Sequence, residues 1–317
     1  MDGGSGSMPS LAVCVGDLRF KNPVLLASGT CGYGIEYAPY LDLNRLGGIV
    51  IKGISLEPQP GNPPPRIIET PSGMLNAIGL QNIGWRKFVT DYLPRLADYE
   101  THIIVNIYGH TIEEYREVAQ RLSEHSGICA LEINVSCPNV DQGGLAFGTD
   151  PSSTFKVTNA VRKATHLPVI TKLSPNVTDI RPIAKAAEDA GANAISLINT
   201  LLGLKVDIKT RRPELANITG GLSGPAIRPV ALRMVWQTVK MVNIPVIGMG
   251  GIISCNDALE FLIVGASAIQ IGTGLFVDPL CPIRILEGME SFLNEAGIEY
   301  ISNVIGSFDT EMSKDEP

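Results

Sequence analysis

The chain has 317 residues, 44% hydrophobic and 18% charged, which is ordinary globular material with enough length to bury a large core. A formal net charge of −7 and the lack of any basic block argue against a nucleic-acid partner, because such partners are held by Lys and Arg that neutralise phosphates. No run of about 18 uncharged apolar residues is present to span a bilayer. The six cysteines, Cys14, Cys31, Cys129, Cys137, Cys255 and Cys281, stand too far apart for a zinc or iron-sulfur site, and a reducing cytoplasm fits them best.

Residues 1–7, Met-Asp-Gly-Gly-Ser-Gly-Ser, read as a cloning scar ahead of Met8, which leaves 8–317 as one domain. Short apolar runs bounded by turn residues predict strands at 23–28, 49–53, 102–108, 131–137, 168–174, 194–200, 245–251 and 268–274. Helix-period segments lie between most of them, at 111–125, 152–164, 177–190, 226–242 and 256–264. Thr111 with Glu114, and Asp150 before Pro151, carry the capping oxygen and first-turn proline of helix starts. Repeated strand-helix units imply a parallel sheet. An open dinucleotide-binding sheet would show G-x-G-x-x-G at its first helix, and none is present, so the expected fold is a (β/α)8 barrel. Two irregular excursions, 55–85 and 201–224, leave strand C-terminal ends, and 139–149 reads as a glycine-rich lid.

Barrel enzymes place their chemistry at the C-terminal ends of the strands. Here those ends carry Ser28, Lys52, Asn106, Asn134 with Ser136 and Cys137, Lys172, and Asn199 with Thr200. Lysine and asparagine are poor strand formers and costly to bury unpaired, so one or the other near five consecutive strand ends points to one polar ligand. Gly248-Met249-Gly250-Gly251 and Gly272-Thr273-Gly274 follow the seventh and eighth strands, where barrels bind phosphate. A phosphate anchor plus two lysines and several amides suits flavin mononucleotide, with a lysine stabilising the charge that gathers at the pyrimidine edge on reduction. A core-edge salt bridge is the alternative use for Lys52 and Lys172.

Cys137, followed by Pro138 at a polar strand end, is placed to accept a proton from carbon, whereas the other five cysteines read as small buried hydrophobes. His102, His110, His125 and His166 read as scaffold or surface residues, with His110 nearest the strand ends.

Five motifs, Asn-Val-Ser-Cys-Pro-Asn (134–139), Asn-Ala-Ile-Gly-Leu-Gln-Asn (76–82), Thr-Lys-Leu-Ser-Pro-Asn (171–176), Ile-Asn-Thr (198–200) and Ile-Gly-Met-Gly-Gly-Ile (247–252), resemble those of the dihydroorotate dehydrogenases, and the likeness runs from about residue 11 onward. The resemblance implies FMN held by Ser28, Lys52, Gly53, Asn106, Asn134, Lys172, Ile198, Gly224, Gly250, Gly251, Gly272 and Thr273. It implies an orotate pocket from Lys52, Asn76, Ala77, Ile78, Gly79, Leu80, Asn134, Asn199 and Thr200. Cys137 would remove the C5 proton while the C6 hydride passes to the flavin, with Lys172 at the catalytic centre. No metal site is implied.

The lid wording at 143–148 and the stretch 74–82 are most similar to the class 1B catalytic subunit. That class implies a homodimer core joined to a partner subunit carrying FAD and a 2Fe-2S cluster, with electrons passed on to NAD. The rival readings are a class 1A enzyme using fumarate, a Schiff-base aldolase using Lys172, and a non-enzymatic flavin carrier.

Overall fold

The computed structural model describes residues 9–136, 138–139 and 145–310. Eight strands close a parallel barrel in sequence order: β1 (Val24–Leu26), β2 (Gly48–Ile54), β3 (His102–Ile107), β4 (Ala130–Asn134), β5 (Val169–Lys172), β6 (Ala194–Leu197), β7 (Val246–Met249) and β8 (Ala268–Ile271). Closure comes from β8 against β1, where Ile269, Gln270 and Ile271 pair with Val24, Leu25 and Leu26. Most strand residues are buried, because one face meets the barrel interior and the other meets the helices.

The helical layer comprises a broken helix over 84–96 (α1), then α2 (Ile112–Ser123), α3 (Pro151–Ala164), α4 (Arg181–Asp189), α5 (Arg228–Val239), α6 (Cys255–Ile263) and α7 (Cys281–Ala296). On α2 the buried residues Tyr115, Val118, Ala119 and Leu122 recur at helical spacing, and burying each large one stabilises the fold by about 1.5–3 kcal/mol. Thr111 accepts from the Glu114 amide and Asp150 from the Ser153 amide, as the capping pattern predicts. The Glu114 carboxylate reaches one residue further back than a capping box, to the His110 amide at 2.6 Å.

Several boundaries differ from the sequence-based expectation. Helix α4 starts at Arg181 rather than 177, because Asp179 folds back onto the Arg181 amide at 3.0 Å and Pro182 occupies the first turn. Helix α5 follows a 3-10 turn over Pro225–Ile227. The broken helix α1, helix α7 and an N-terminal hairpin (Val13–Val15 with Leu18–Phe20) were not among the expected elements. The hairpin sits at the N-terminal end of the barrel, with the Phe20 ring 4.8 Å from that of His102 at the start of β3. Its alternation turns Cys14 outward, so that cysteine is exposed rather than a buried hydrophobe, whereas Cys31 and Cys281 are buried.

The excursions 55–85 and 201–224 are not irregular. Their strands Ile67–Thr70, Gly73–Asn76, Thr219–Ser223 and Leu201–Leu204 pair into one antiparallel sheet, with a small core of Leu75, Ala77 and Leu215. Two segments that are 145 positions apart at Asn76 and Gly221 thereby meet. Of the expected lid, 138–139 pairs antiparallel with 145–146, 147–149 forms a 3-10 turn, and 140–144 lies outside the described residues.

Candidate active site

The C-terminal strand ends and the antiparallel sheet enclose one cavity of about 980 Å³. That lies at the upper end of the range of about 300–1,000 Å³ for small-molecule sites, room for a cofactor and a small substrate together. Ser28, Lys52, Gly53, Asn106, Asn134, Lys172, Ile198, Gly224, Gly250, Gly251, Gly272 and Thr273 all line it, as do Asn76, Ala77, Ile78, Gly79, Leu80, Asn199 and Thr200. Cys137 lies outside the described residues. His110 also reaches the wall, with its ring edge-on to Tyr108 at 6.2 Å.

Below the cavity, Glu132 on β4 is fully buried and accepts three hydrogen bonds. They come from Asn106 Nδ2 at 2.7 Å, Ser196 Oγ at 2.8 Å and Gln270 Nε2 at 2.8 Å. Lys172 Nζ stands 3.9 Å from the same carboxylate, a charge contact rather than a hydrogen bond. Hydrogen bonds to a charged group contribute about 1.5–3 kcal/mol each, enough to hold Gln270 although its own Oε1 is buried without a partner among the described residues. Lys172 therefore lines the cavity and is ion-paired at once, so the two uses weighed for it coexist.

Lys52 differs. Its ammonium has no hydrogen bond or ion pair among the described residues, and burial pushes its pKa below the ordinary 10.5, an effect opposed by Cys31 and reinforced by Arg66. An unpaired, half-buried cation that lines a cavity fits an anionic ligand group. The neighbouring Cys31 thiol is pushed up to about 12, chiefly by burial and then by Glu36, so it stays protonated at neutral pH and is no proton acceptor.

Beside β4 and β6, Asn199 Nδ2 donates to Asn134 Oδ1 at 3.2 Å and to Ser136 Oγ at 3.0 Å, while its own Oδ1 accepts from the Thr200 amide at 2.8 Å. Across the cavity, segment 76–82 is tied down by Asn82, whose Nδ2 donates to the Tyr108 hydroxyl at 2.6 Å and whose Oδ1 accepts from the Gly84 amide at 2.8 Å.

The glycine turns after β7 and β8 leave mostly backbone on the cavity wall, with Thr273 beside Gly272 and Gly274. Gly251 has φ +79, and an added Cβ would sit 2.8 Å from both Gly224 O and Arg228 Cβ. Asp257 braces this turn: it accepts from the Ile253 and Ser254 amides at 3.0 and 2.9 Å and ion-pairs with Arg228 at the start of α5. At Gly53 an added Cβ would press on Asn106 Oδ1 at 2.9 Å. Backbone cradle, unpaired lysine and inward amides are the donor set that a phosphorylated heteroaromatic cofactor such as FMN requires.

Glu132, Ser196 and Gln270 were absent from the expected site because they sit inside strands rather than at their ends. Their signal is present in sequence: each is a polar residue within an otherwise apolar run, and Glu132 stands two positions before Asn134, on the same side of β4.

Comparison with known proteins agrees with this architecture. A family model described as Dihydroorotate dehydrogenase matches residues 10–293. A Geobacter protein named "Dihydroorotate dehydrogenase B (NAD(+)), catalytic subunit" is 55% identical over 301 residues, covering 95% of this chain and 99% of its own length. Proteins of the same name from Citrifermentans bemidjiense and Desulforamulus reducens are each 56% identical, over 95% and 94% of this chain and 99% and 98% of theirs. The crystal structure of DHODH in complex with ferulenol from Eimeria tenella superposes with a TM-score of 0.78 over 96% of this chain and 90% of that one. At 24% identity that likeness speaks to the fold.

Proposed function

The chain belongs to the dihydroorotate dehydrogenase family, and from that premise we propose that it binds one FMN in this cavity, oxidises (S)-dihydroorotate to orotate in pyrimidine synthesis and sends the electrons to NAD through a partner subunit. The observation that carries this reading is the convergence of two lysines, the strand-end amides and two glycine turns on one cavity large enough for both molecules.

In this reading Gly224, Gly250, Gly251, Gly272 and Thr273 hold the FMN phosphate by backbone amides and a hydroxyl, while Ser28, Gly53, Asn106, Ile198 and Lys172 hold the ring system. FMN supplies the hydride acceptor. Lys52 binds the substrate carboxylate, with Asn76, Ala77, Ile78, Gly79 and Leu80 closing over it. Asn134, Asn199 and Thr200 align the ring amides, and their mutual hydrogen bonds set their orientation before substrate arrives. Cys137, three positions beyond Asn134, takes the C5 proton as the C6 hydrogen leaves with its electron pair.

The partner carries FAD and a 2Fe-2S cluster and joins a homodimer of this chain as a heterotetramer in the cytoplasm. Exposed apolar residues on the cavity rim, Leu202 at 69% and Phe276 at 54%, suit contact with another protein. Among the described residues no helix is long and apolar enough to cross a membrane.

The test is anaerobic addition of dihydroorotate to the purified protein, then steady-state turnover with NAD and with fumarate, each with and without the co-purified partner. We expect the flavin absorbance to bleach at once, with NAD reduction only when the partner is present. A colourless protein, or a flavin that dihydroorotate leaves oxidised, sinks the proposal; turnover with fumarate alone replaces the NAD route by the class 1A one.

A further inference from the structure

Glu132 forms no part of the cavity wall, yet it links two residues that do. Its carboxylate, on an even-numbered strand, accepts from Asn106 on β3 and faces Lys172 on β5, both of which line the cavity. Ser196 on β6 and Gln270 on β8 complete its shell, so three even-numbered strands supply one polar layer in a barrel interior that such folds normally fill with branched apolar side chains. A carboxylate with no exposed surface is costly to retain and gives fold stability little that an apolar residue would not, which points to a use.

We propose that Glu132, a positioning residue acting through Lys172 and Asn106, sets the reduction potential of the flavin bound in this cavity, an inference that rests on the FMN reading above. The ammonium of Lys172 favours the negative charge that gathers on the pyrimidine edge on reduction, and so raises the potential. The Glu132 carboxylate stands directly behind that ammonium, in a region whose low dielectric leaves both charges strongly felt, and offsets part of the rise. It also commits Asn106 Nδ2 to itself, leaving Oδ1 turned toward Gly53 on the cavity wall, an acceptor for a ring N–H. The offset keeps the reduced flavin a strong enough donor to pass electrons onward to an NAD-linked partner.

The experiment measures the midpoint potential of the bound flavin against reference dyes in wild type, Glu132→Gln, Glu132→Asp, Lys172→Gln and the double variant Glu132→Gln with Lys172→Gln. Glu132→Gln leaves the ammonium unopposed, and we expect the ratio of reduced to oxidised flavin at a fixed potential to rise at least tenfold, about 30 mV for a two-electron couple. Glu132→Asp keeps the charge and stays within about threefold of wild type, and the double variant, with both charges gone, returns to the same range. A Gln variant at the wild-type potential overturns the proposal, and so do equal shifts in Gln and Asp, which mark a packing effect. Should Glu132→Gln not fold, the double variant leaves no unpaired charge and decides alone: a potential as low as that of Lys172→Gln overturns the offset. Wild-type protein lacking flavin altogether overturns the FMN reading, and this inference with it, and is visible in the absorbance spectrum before any variant is made.

Discussion

Asn82 and Tyr108 meet side chain to side chain, the Tyr108 hydroxyl accepting from Asn82 Nδ2 at 2.6 Å and from Ser55 Oγ at 3.2 Å and donating to the Leu80 carbonyl at 2.8 Å. This contact fastens segment 76–82, the proposed roof over the substrate, to the end of β3. Tyr108→Phe removes one of three acceptors of Asn82 Nδ2, which keeps Ser55 Oγ at 2.9 Å and the Leu80 carbonyl at 3.0 Å, so the change costs about 0.5–1.5 kcal/mol, the worth of one hydrogen bond. We expect lower thermal stability and a several-fold higher KM for dihydroorotate with kcat nearly kept. Steady-state kinetics checks this, and a fall in kcat at unchanged KM would rule out the roof role.

Two glycines on the proposed phosphate cradle separate fold from ligand. At Gly272 an added Cβ comes no nearer than 3.7 Å to Ala27, ordinary contact, so Gly272→Ala should change stability by less than about 0.5 kcal/mol while weakening FMN binding by reaching into the cavity. At Gly251 the same change meets φ +79 and the 2.8 Å contacts, adding about 1–2 kcal/mol for the left-handed backbone. Flavin content and melting temperature measured together distinguish the two. Full flavin retention in Gly272→Ala would remove this turn from the cofactor site.

Lys52 predicts a pH dependence. Burial lowers its folded pKa below the 10.5 of the unfolded chain, so between the two values the unfolded chain holds a proton that the folded one has released. Stability of the ligand-free protein therefore rises with pH through that window, and below it the burial penalty is carried in full. Binding of the orotate carboxylate, which needs the ammonium, runs the opposite way and weakens as pH rises through the folded pKa. Orotate affinity measured against pH should show this fall in wild type and a weak, flat profile in Lys52→Met. Identical profiles would exclude the lysine.

Cys137→Ala should keep FMN bound and slow flavin reduction by orders of magnitude, while Cys137→Ser stays partly active with its optimum moved to higher pH, because a hydroxyl gives up its proton less readily than a thiol. Stopped-flow reduction by dihydroorotate measures both. An alanine variant reduced at the wild-type rate removes Cys137 as the base.

The sequence by itself determined the barrel and most of the cavity wall, because both depend on local signals. Parallel strands buried on two faces read as apolar runs, helix starts read as Thr111 or Asp150 with a capping oxygen, and Lys52, Asn106, Asn134, Lys172 and Asn199 stand out against the apolar strands that carry them. Tertiary structure alone decided what depends on distant segments meeting. The pairing of 73–76 with 219–223 turned two apparent loops into one sheet, since each edge finds its hydrogen-bond partner only when the barrel brings it near. The same holds for Glu132. In sequence it is one acid in an apolar run; only barrel closure sets Asn106, Ser196, Gln270 and Lys172 around it and lets a buried charge be borne at that depth.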